Sequence, residues 1–160
     1  MKRILLMFAL ITGMLFCVST VAGAYSMWDI DVGDDILVYG YNHSNNAGEF
    51  DMKASTESDH DPFITYTSFC AEHDKYLRLN RWYTITALSD PSDQSAYLLS
   101  RYYGGFLTLA NEAEEVAFQD ALWFYDSGKP GISNTYTAIA DAAYTAGWRN
   151  DGYVFIADLG

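Results

Sequence analysis

The sequence predicts an α+β domain in which antiparallel strands from the first half of the mature chain pack with about three helices from residues 91–147. Two observations indicate this fold class. In the first half, apolar and polar residues alternate, as they do in half-buried strands. In the second half, apolar residues recur every three or four positions between helix start and stop signals. Strands that precede helices in this way are typical of α+β proteins.

Residues 1–24 predict a secretory signal peptide. Lys2 and Arg3 give a basic start, a short apolar run follows, and the segment ends in Ala22-Gly23-Ala24. These features mark a cleaved export signal. A retained membrane anchor is the alternative, but the apolar run is short for a span. We therefore expect an exported protein, extracellular or on the cell surface, with a single domain over residues 25–160.

The composition narrows the classes of partner. The chain has 9 basic and 21 acidic residues and a formal net charge of −12. Such a charge repels phosphate backbones and anionic lipid surfaces, so we expect no nucleic-acid partner. Because the short apolar run leaves with the signal, we also expect no stable membrane span after cleavage. Because 50% of the residues are hydrophobic and 16% aromatic, the chain is predicted to fold rather than to remain disordered.

Five segments are strand candidates because they are rich in β-branched and aromatic residues or alternate in polarity. They are Ile36–Tyr41, Glu49–Met52, Ile64–Ala71, Trp82–Leu88 and Tyr153–Ala157. Turn residues at 42–48 and a polar stretch at 53–61 separate the first three. Alternation places Cys70 on the third strand, on the same face as Tyr66. The chain ends soon after the last candidate, so we expect it to be a fragment truncated at its C-terminus.

Cap signals predict the three helices. Asp90-Pro91 indicates the start of the first and Gly104-Gly105 its end. The second begins near Asn111 and ends at Gly128, and the third begins after Ser133 and stops at Gly147. Two apolar stripes are expected to face the core: Ala96, Leu99, Tyr102 and Tyr103 in the first helix, and Tyr136, Ile139, Ala140, Ala143 and Tyr144 in the third.

Cys70 and Gln119 are the two residues whose chemistry is unusual for their positions. Cys70 is the only cysteine outside the predicted signal, in a compartment that oxidises thiols. Its thiol is therefore buried and inert, forms a disulfide between chains, or is used in some other chemical bond. Gln119 shares a helical face with Val116, Leu122 and Trp123. On pattern alone it is a core glutamine that hydrogen-bonds a strand backbone.

Three segments in this order resemble two related sets of exported bacterial proteins. The segments are Gly48-Glu49-Phe50, Phe69-Cys70-Ala71-Glu72 and Phe118-Gln119-Asp120-Ala121-Leu122-Trp123. One set is the thioester domains of bacterial surface adhesins, which have an aromatic-Cys segment on a strand and an apolar-Gln-x-x-apolar-Trp segment on a helix. The other is the exported proteins with a C-terminal PEP-CTERM sorting signal, a segment that these 160 residues lack. The resemblance spans about residues 48–125.

This resemblance implies an internal thioester between Cys70 and Gln119. An amine on a target surface would then displace the sulfur and leave a covalent amide, which is single-use bond formation and not enzymatic turnover. Water must be excluded from such a bond, and Phe69, Trp123 and Tyr66 are the expected shielding residues. Amines of surface proteins, or extracellular polysaccharide, are the expected partners. Neither a cofactor nor a metal is implied.

Two other function classes stay open. In the first, the protein is a non-reactive structural, carbohydrate-binding or protein-binding surface module, and its aromatic residues form a core or a stacking face. The second, a cysteine-dependent hydrolase, is weakly supported because His73, at an odd separation from Cys70, would point to the opposite face of a strand. The remaining histidines, His43 and His60, lack zinc-ligand spacing, and the acidic residues at 29–35 lack an EF-hand pattern.

Overall fold

The computed structural model describes residues 30–41, 49–56, 63–71, 78–151, 154 and 156–159. Within this part of the chain, five antiparallel strands form one sheet and three helices follow the fourth strand. The α+β fold class is therefore confirmed. The predicted signal peptide and the three histidines, His43, His60 and His73, lie outside the described residues.

The sheet has the strand order β3-β2-β1-β4-β5. Its strands are β1 Asp35–Tyr41, β2 Phe50–Ser55, β3 Ile64–Ser68, β4 Arg81–Ser89 and β5 Ile156–Leu159. The first three are sequential neighbours, and β4 returns to pair with the free side of β1, which is Greek-key order. The long connection from β3 to β4 begins at Phe69 and contains Cys70.

Each of the five predicted strands has a counterpart in the described ranges, but several predicted ends are wrong. The second strand runs on to Ser55, through part of the predicted polar loop, because β1 offers partners as far as Asp35 opposite Ser55. Lys53 is accommodated there with its Nζ 4.1 Å from the centre of the Phe63 ring. The last strand begins at Ile156, later than predicted.

The sheet encloses its own apolar core. Register places Ile36 opposite both Ala54 and Tyr83, and Val38 opposite Met52, so these side chains share one face. An extra residue at Tyr39 in β1, and another at Thr86 in β4, breaks the register, and such bulges bend a sheet. We call the buried cluster the sheet core; its members are Ile36, Val38, Met52, Ala54, Tyr83 and Ile85.

The helices are α1 Asp93–Tyr103, α2 Glu112–Asp126 and α3 Thr135–Thr145. Asn111 caps α2, as predicted, whereas the predicted caps Asp90 and Ser133 are wrong. Ser92 caps α1, since its Oγ accepts a hydrogen bond from the Ser95 amide at 3.2 Å. Asn134 caps α3 through a reciprocal capping box with Thr137.

The helices end at glycines, as predicted. Gly128 and Gly147 follow α2 and α3 with φ of 69° and 95°, a left-handed conformation that glycine adopts without steric cost. After α1, the capping Gly104 keeps a right-handed conformation and Gly105 takes the positive φ.

A second buried cluster, which we call the helical core, consists of Leu98, Phe118, Ala121, Leu122 and Ala140. In two helices, the buried face differs from the predicted one. In α1, Leu98 is buried and Tyr103 is exposed; in α3, Ala140 is buried, but Ile139 and Tyr144 are exposed. The reason in α3 is that the helix packs through its small side chains, which lets Tyr136 lie edge-on against Phe118.

Polar contacts attach α2 to its neighbours at three points. Asn134 Nδ2 donates to the Ala117 carbonyl at 2.7 Å, and the Ser92 amide donates to Asp126 Oδ1 at 2.8 Å. Tyr125 donates its hydroxyl hydrogen to Asp141 Oδ1 at 2.8 Å. The helix that carries Gln119 is thereby fixed on several sides. None of the helices in the described ranges is long and apolar enough to cross a bilayer.

Candidate functional site

Gln119 lies in the middle of α2 and is completely buried. The predicted helical face is confirmed for Leu122 and Trp123, which are also buried, while Val116 is half-buried. A carboxamide enclosed in this way is unfavourable unless its donors and acceptor find partners.

Cys70 lies two residues beyond β3, and not on a strand as the alternation predicted. The strand ends at Ser68 because its partner residue, Phe50, is the first residue of β2, so no ladder partner continues past that point. The residue is half-buried, and no disulfide involves it. It therefore belongs to the start of the Greek-key crossover.

Two hydrogen bonds join Cys70 to Gln119. The Cys70 amide donates to Gln119 Oε1 at 3.1 Å, and Gln119 Nε2 donates to the Cys70 carbonyl oxygen at 2.6 Å. The carboxamide thus pairs with both the backbone N–H and the backbone C=O of Cys70. This is the backbone contact expected of a core glutamine, and it also holds the side-chain carbonyl beside the residue that carries the thiol.

Phe69 anchors this segment in the helical core. Its ring lies 4.9 Å from Phe118 and 5.2 Å from Tyr102, the latter in an edge-on arrangement, measured between ring centres. Contacts of this kind stabilise beyond the area they bury. Because Phe118 directly precedes Gln119, the contact brings the Cys70 segment against α2 next to the carboxamide.

The other two predicted shielding residues lie to either side. Tyr66 packs against the sheet core and lines a pocket described below. Trp123 lies one helical turn after Gln119 and is buried, with the Nζ of Lys129 4.6 Å from its ring centre. The same Nζ pairs with Asp120 at 2.5 Å. The structure therefore brings Phe69, Cys70 and Gln119 together and places Tyr66 and Trp123 at the flanks.

Two further hydrogen bonds join α1 to Glu49, directly before β2, and to Thr67 in β3. Tyr102 donates its hydroxyl hydrogen to Glu49 Oε1, and Tyr103 donates to the Thr67 carbonyl at 2.8 Å. Together with the Cys70–Gln119 pair, they cross the boundary between the sheet core and the helical core. We call this boundary the seam.

An open pocket of about 530 Å³ lies along the seam. Glu49 and three phenol rings line it, together with Leu107 and Leu109; the phenols belong to Tyr66, Tyr102 and Tyr103. Burial, with a smaller contribution from Tyr103, raises the pKa of Tyr66. Burial and then the bond to Glu49 raise the pKa of Tyr102. Both phenols therefore stay neutral at physiological pH.

Sequence reasoning did not identify the Glu49–Tyr102 link. Glu49 occurs in the first resemblance segment and Tyr102 in the predicted apolar stripe of α1, but 53 positions separate them. They meet only in the tertiary structure, where the first helix, which follows β4, lies against the start of β2. Within the described ranges, no cluster of three or more His, Cys, Asp or Glu side chains could hold a metal ion.

Comparisons of this chain with protein-family models, with curated proteins and with solved structures found no match. The interpretation of the site therefore depends on its own geometry.

Proposed function

We propose that the protein forms an internal thioester between Cys70 Sγ and Gln119 Cδ and uses it once, to attach covalently to an amine on a target surface. The observation that supports this most is the reciprocal pairing of the Gln119 carboxamide with the backbone of Cys70, at 3.1 and 2.6 Å. A bond between two side chains that are far apart in sequence requires such fixed proximity.

The pairing suits the bond-forming step. Attack of Sγ on Cδ places negative charge on Oε1, and the Cys70 amide is already directed at that oxygen. The thiol proton passes to Nε2, the C–N bond breaks, and ammonia leaves. The Cys70 carbonyl, which accepts from Nε2, is placed to hold the departing nitrogen.

The same groups suit the second step. A target amine attacks Cδ, its nitrogen becomes the amide nitrogen, one of its protons passes to sulfur, and the thiol is released. The product keeps the Gln119 carbonyl oxygen, which can again accept a hydrogen bond from the Cys70 amide as it does now.

Water competes with the amine, so the site must be largely dry until a target arrives. Gln119 is completely buried, and Cys70 is half-buried two residues after the end of β3. The carbonyl side of the bond would therefore be protected by α2 and Phe69, and a nucleophile would approach from the sulfur side.

Intact-protein mass spectrometry tests the proposal. The purified chain should weigh one ammonia less than its sequence, and methylamine should add to it and remove the deficit. Cys70→Ala and Gln119→Ala should each abolish the deficit and the uptake. The matched control is Gln94→Ala, which removes the chain's other glutamine, a half-buried residue of α1, and should retain both signals.

A wild-type mass equal to the plain sequence mass, with no amine uptake, would contradict the proposal. It would favour the second candidate, a non-reactive structural or binding module of the cell surface. One observation supports that candidate: the two hydrogen bonds already satisfy the Gln119 carbonyl and one of its N–H groups without any covalent bond.

A further inference from the structure

The pocket along the seam combines aromatic rings with hydroxyl groups. Tyr66, Tyr102 and Tyr103 line it, and so do Thr67 and Thr108. Tyrosine and threonine hydroxyls both donate and accept hydrogen bonds, and an oxygen that already donates can still accept. The volume of about 530 Å³ lies in the range of small-molecule sites. The pocket therefore suits a small ligand with an apolar face and a polar edge.

The charges around the pocket favour a neutral ligand. No Lys, Arg or His of the described ranges lines it, and the net charge of −12 repels anions. Burial raises the pKa of Tyr66 and of Tyr102, so both phenols are neutral at physiological pH. Glu49 also lines the pocket, but it accepts the hydroxyl hydrogen of Tyr102, and an ammonium ligand would have to compete for that carboxylate. A neutral ligand needs no contact with Glu49.

The rings and the aliphatic wall of the pocket indicate which neutral class fits. A glucose-type pyranose ring presents C–H groups on its faces, which pack on the negative face of an aromatic ring, and carries its hydroxyls at the edge. Tyr103 is 39% exposed, so part of its surface is accessible to such a ring. Leu107 and Leu109 also line the pocket. An acetamido substituent on the sugar brings a methyl group that this aliphatic wall can bury.

We propose that this pocket binds an N-acetylated amino sugar non-covalently, with Tyr103 stacked on the pyranose ring and the acetyl methyl against Leu107 and Leu109. The inference goes beyond the proposed function, because the pocket would bind the sugar whether or not a thioester forms. The sequence predicts an exported protein with extracellular polysaccharide among its expected partners. The pocket would hold the protein on a polymer of such sugars.

Titration of the Cys70→Ala chain with N,N′-diacetylchitobiose tests the pocket apart from any thioester. Nuclear magnetic resonance should show saturable amide shifts centred on Thr67 and residues 105–109. Tyr103→Ala, added to the same chain, should weaken binding at least about fivefold because the stacking ring is lost. Tyr103→Phe keeps the ring and removes only the hydroxyl bond to the Thr67 carbonyl, so it should retain the affinity within about twofold.

Two controls identify the ring and the ligand. Tyr144→Ala removes a phenol of α3 that is 41% exposed and does not line the pocket, and it should leave the affinity unchanged. Cellobiose, which has hydroxyls in place of the acetamido groups, should bind at least about threefold more weakly. The comparison of the two sugars on the unaltered pocket decides even if Tyr103→Ala fails to fold.

Three results would each overturn the proposal. They are the absence of saturable shifts, an unchanged affinity in folded Tyr103→Ala, and equal or tighter binding of either cellobiose or benzyl alcohol, an aromatic ligand without a sugar ring. The amine-uptake experiment on wild-type protein reports separately on the thioester.

Discussion

The sheet core and the helical core of this protein contain different kinds of side chain. The sheet core is mainly aliphatic, with Ile36, Val38, Met52 and Ile85 facing inwards from paired strands. The helical core centres on Phe118, whose ring contacts those of Phe69, Tyr102 and Tyr136. One of these rings, Phe69, comes from the crossover that leaves the sheet. The difference shows that the helical core, and not the sheet core, holds Cys70 in position.

The largest effect is expected from Phe118→Ala. The ring is completely buried, so its removal should lower the free energy of unfolding by about 3–5 kcal/mol. Because Phe69 would lose its main contact, the mass deficit expected from the proposed thioester should also fall sharply. Urea denaturation and intact mass together measure both effects. The matched control, Phe106→Ala, removes a ring that is 71% exposed and should cost less than about 1 kcal/mol.

Ile85→Ala probes the other core by the same measurements. Ile85 is 1% exposed in the sheet core, so the substitution should cost about 2–4 kcal/mol. The substitution removes none of the hydrogen bonds of the seam, so the folded fraction should keep the full mass deficit. If it reduced the thioester as much as Phe118→Ala does at equal folded fraction, the distinction between the two cores would be wrong.

Gln119→Glu should convert the seam into a pH-sensitive contact. One carboxylate oxygen can accept from the Cys70 amide, but the other would face the Cys70 carbonyl oxygen and repel it unless protonated. Burial and this repulsion raise the pKa of the introduced carboxyl above its unfolded value of about 4.3. The folded state then binds more protons than the unfolded state, so stability should fall as the pH rises from about 4 to 8.

Urea midpoints measured across this range test the Gln119→Glu prediction in the Cys70→Ala chain, with Cys70→Ala alone as the reference, because that chain cannot form a thioester and keeps the Gln119 carboxamide. The loss of about 2–3 kcal/mol near neutral pH reflects the missing bond from Nε2 to the Cys70 carbonyl and the repulsion between that carbonyl and the buried carboxylate. If the loss of unfolding free energy in Gln119→Glu did not change with pH, the carboxamide would not contact the Cys70 carbonyl in solution.

Tyr102→Phe should have a smaller effect, confined to the Glu49 side of the seam. Loss of the hydroxyl bond should cost about 1 kcal/mol, since the pair is only partly buried. The raised pKa of Tyr102 means that its neutral form stabilises the fold below pH ~10, and this contribution is lost at higher pH. The wild type should therefore lose stability more steeply above that pH than Tyr102→Phe does.

Tyr103→Phe is the control for that measurement, because its hydroxyl donates to a backbone carbonyl and not to a carboxylate. It should cost less than Tyr102→Phe near neutral pH. Equal costs for the two variants would mean that Glu49 adds nothing to the seam.

The sequence predicted the fold better than it predicted the site. Alternation identified the strands because one face of each is buried, and glycines identified the helix ends because only they adopt the required positive φ without strain. Gln119 could be predicted on a buried face because helical periodicity is local. Cys70 was assigned to a strand because alternation continues past Ser68, while the ladder ends where its partner strand begins.

The seam contacts depend on tertiary structure alone. No local pattern predicts that Glu49 lies against Tyr102, or that Tyr103 bonds the Thr67 carbonyl. The buried face of α3 also depends on tertiary packing. The helix packs closely through the small side chains of Thr137 and Ala140, and the larger Ile139 and Tyr144 are left exposed.

A crystal structure of the purified protein at high resolution would test the thioester most directly. The account predicts continuous electron density between Cys70 Sγ and Gln119 Cδ, with no density for Nε2 and with Oε1 still accepting from the Cys70 amide. Separate density for an intact thiol and an intact carboxamide, in protein never exposed to an amine, would contradict it.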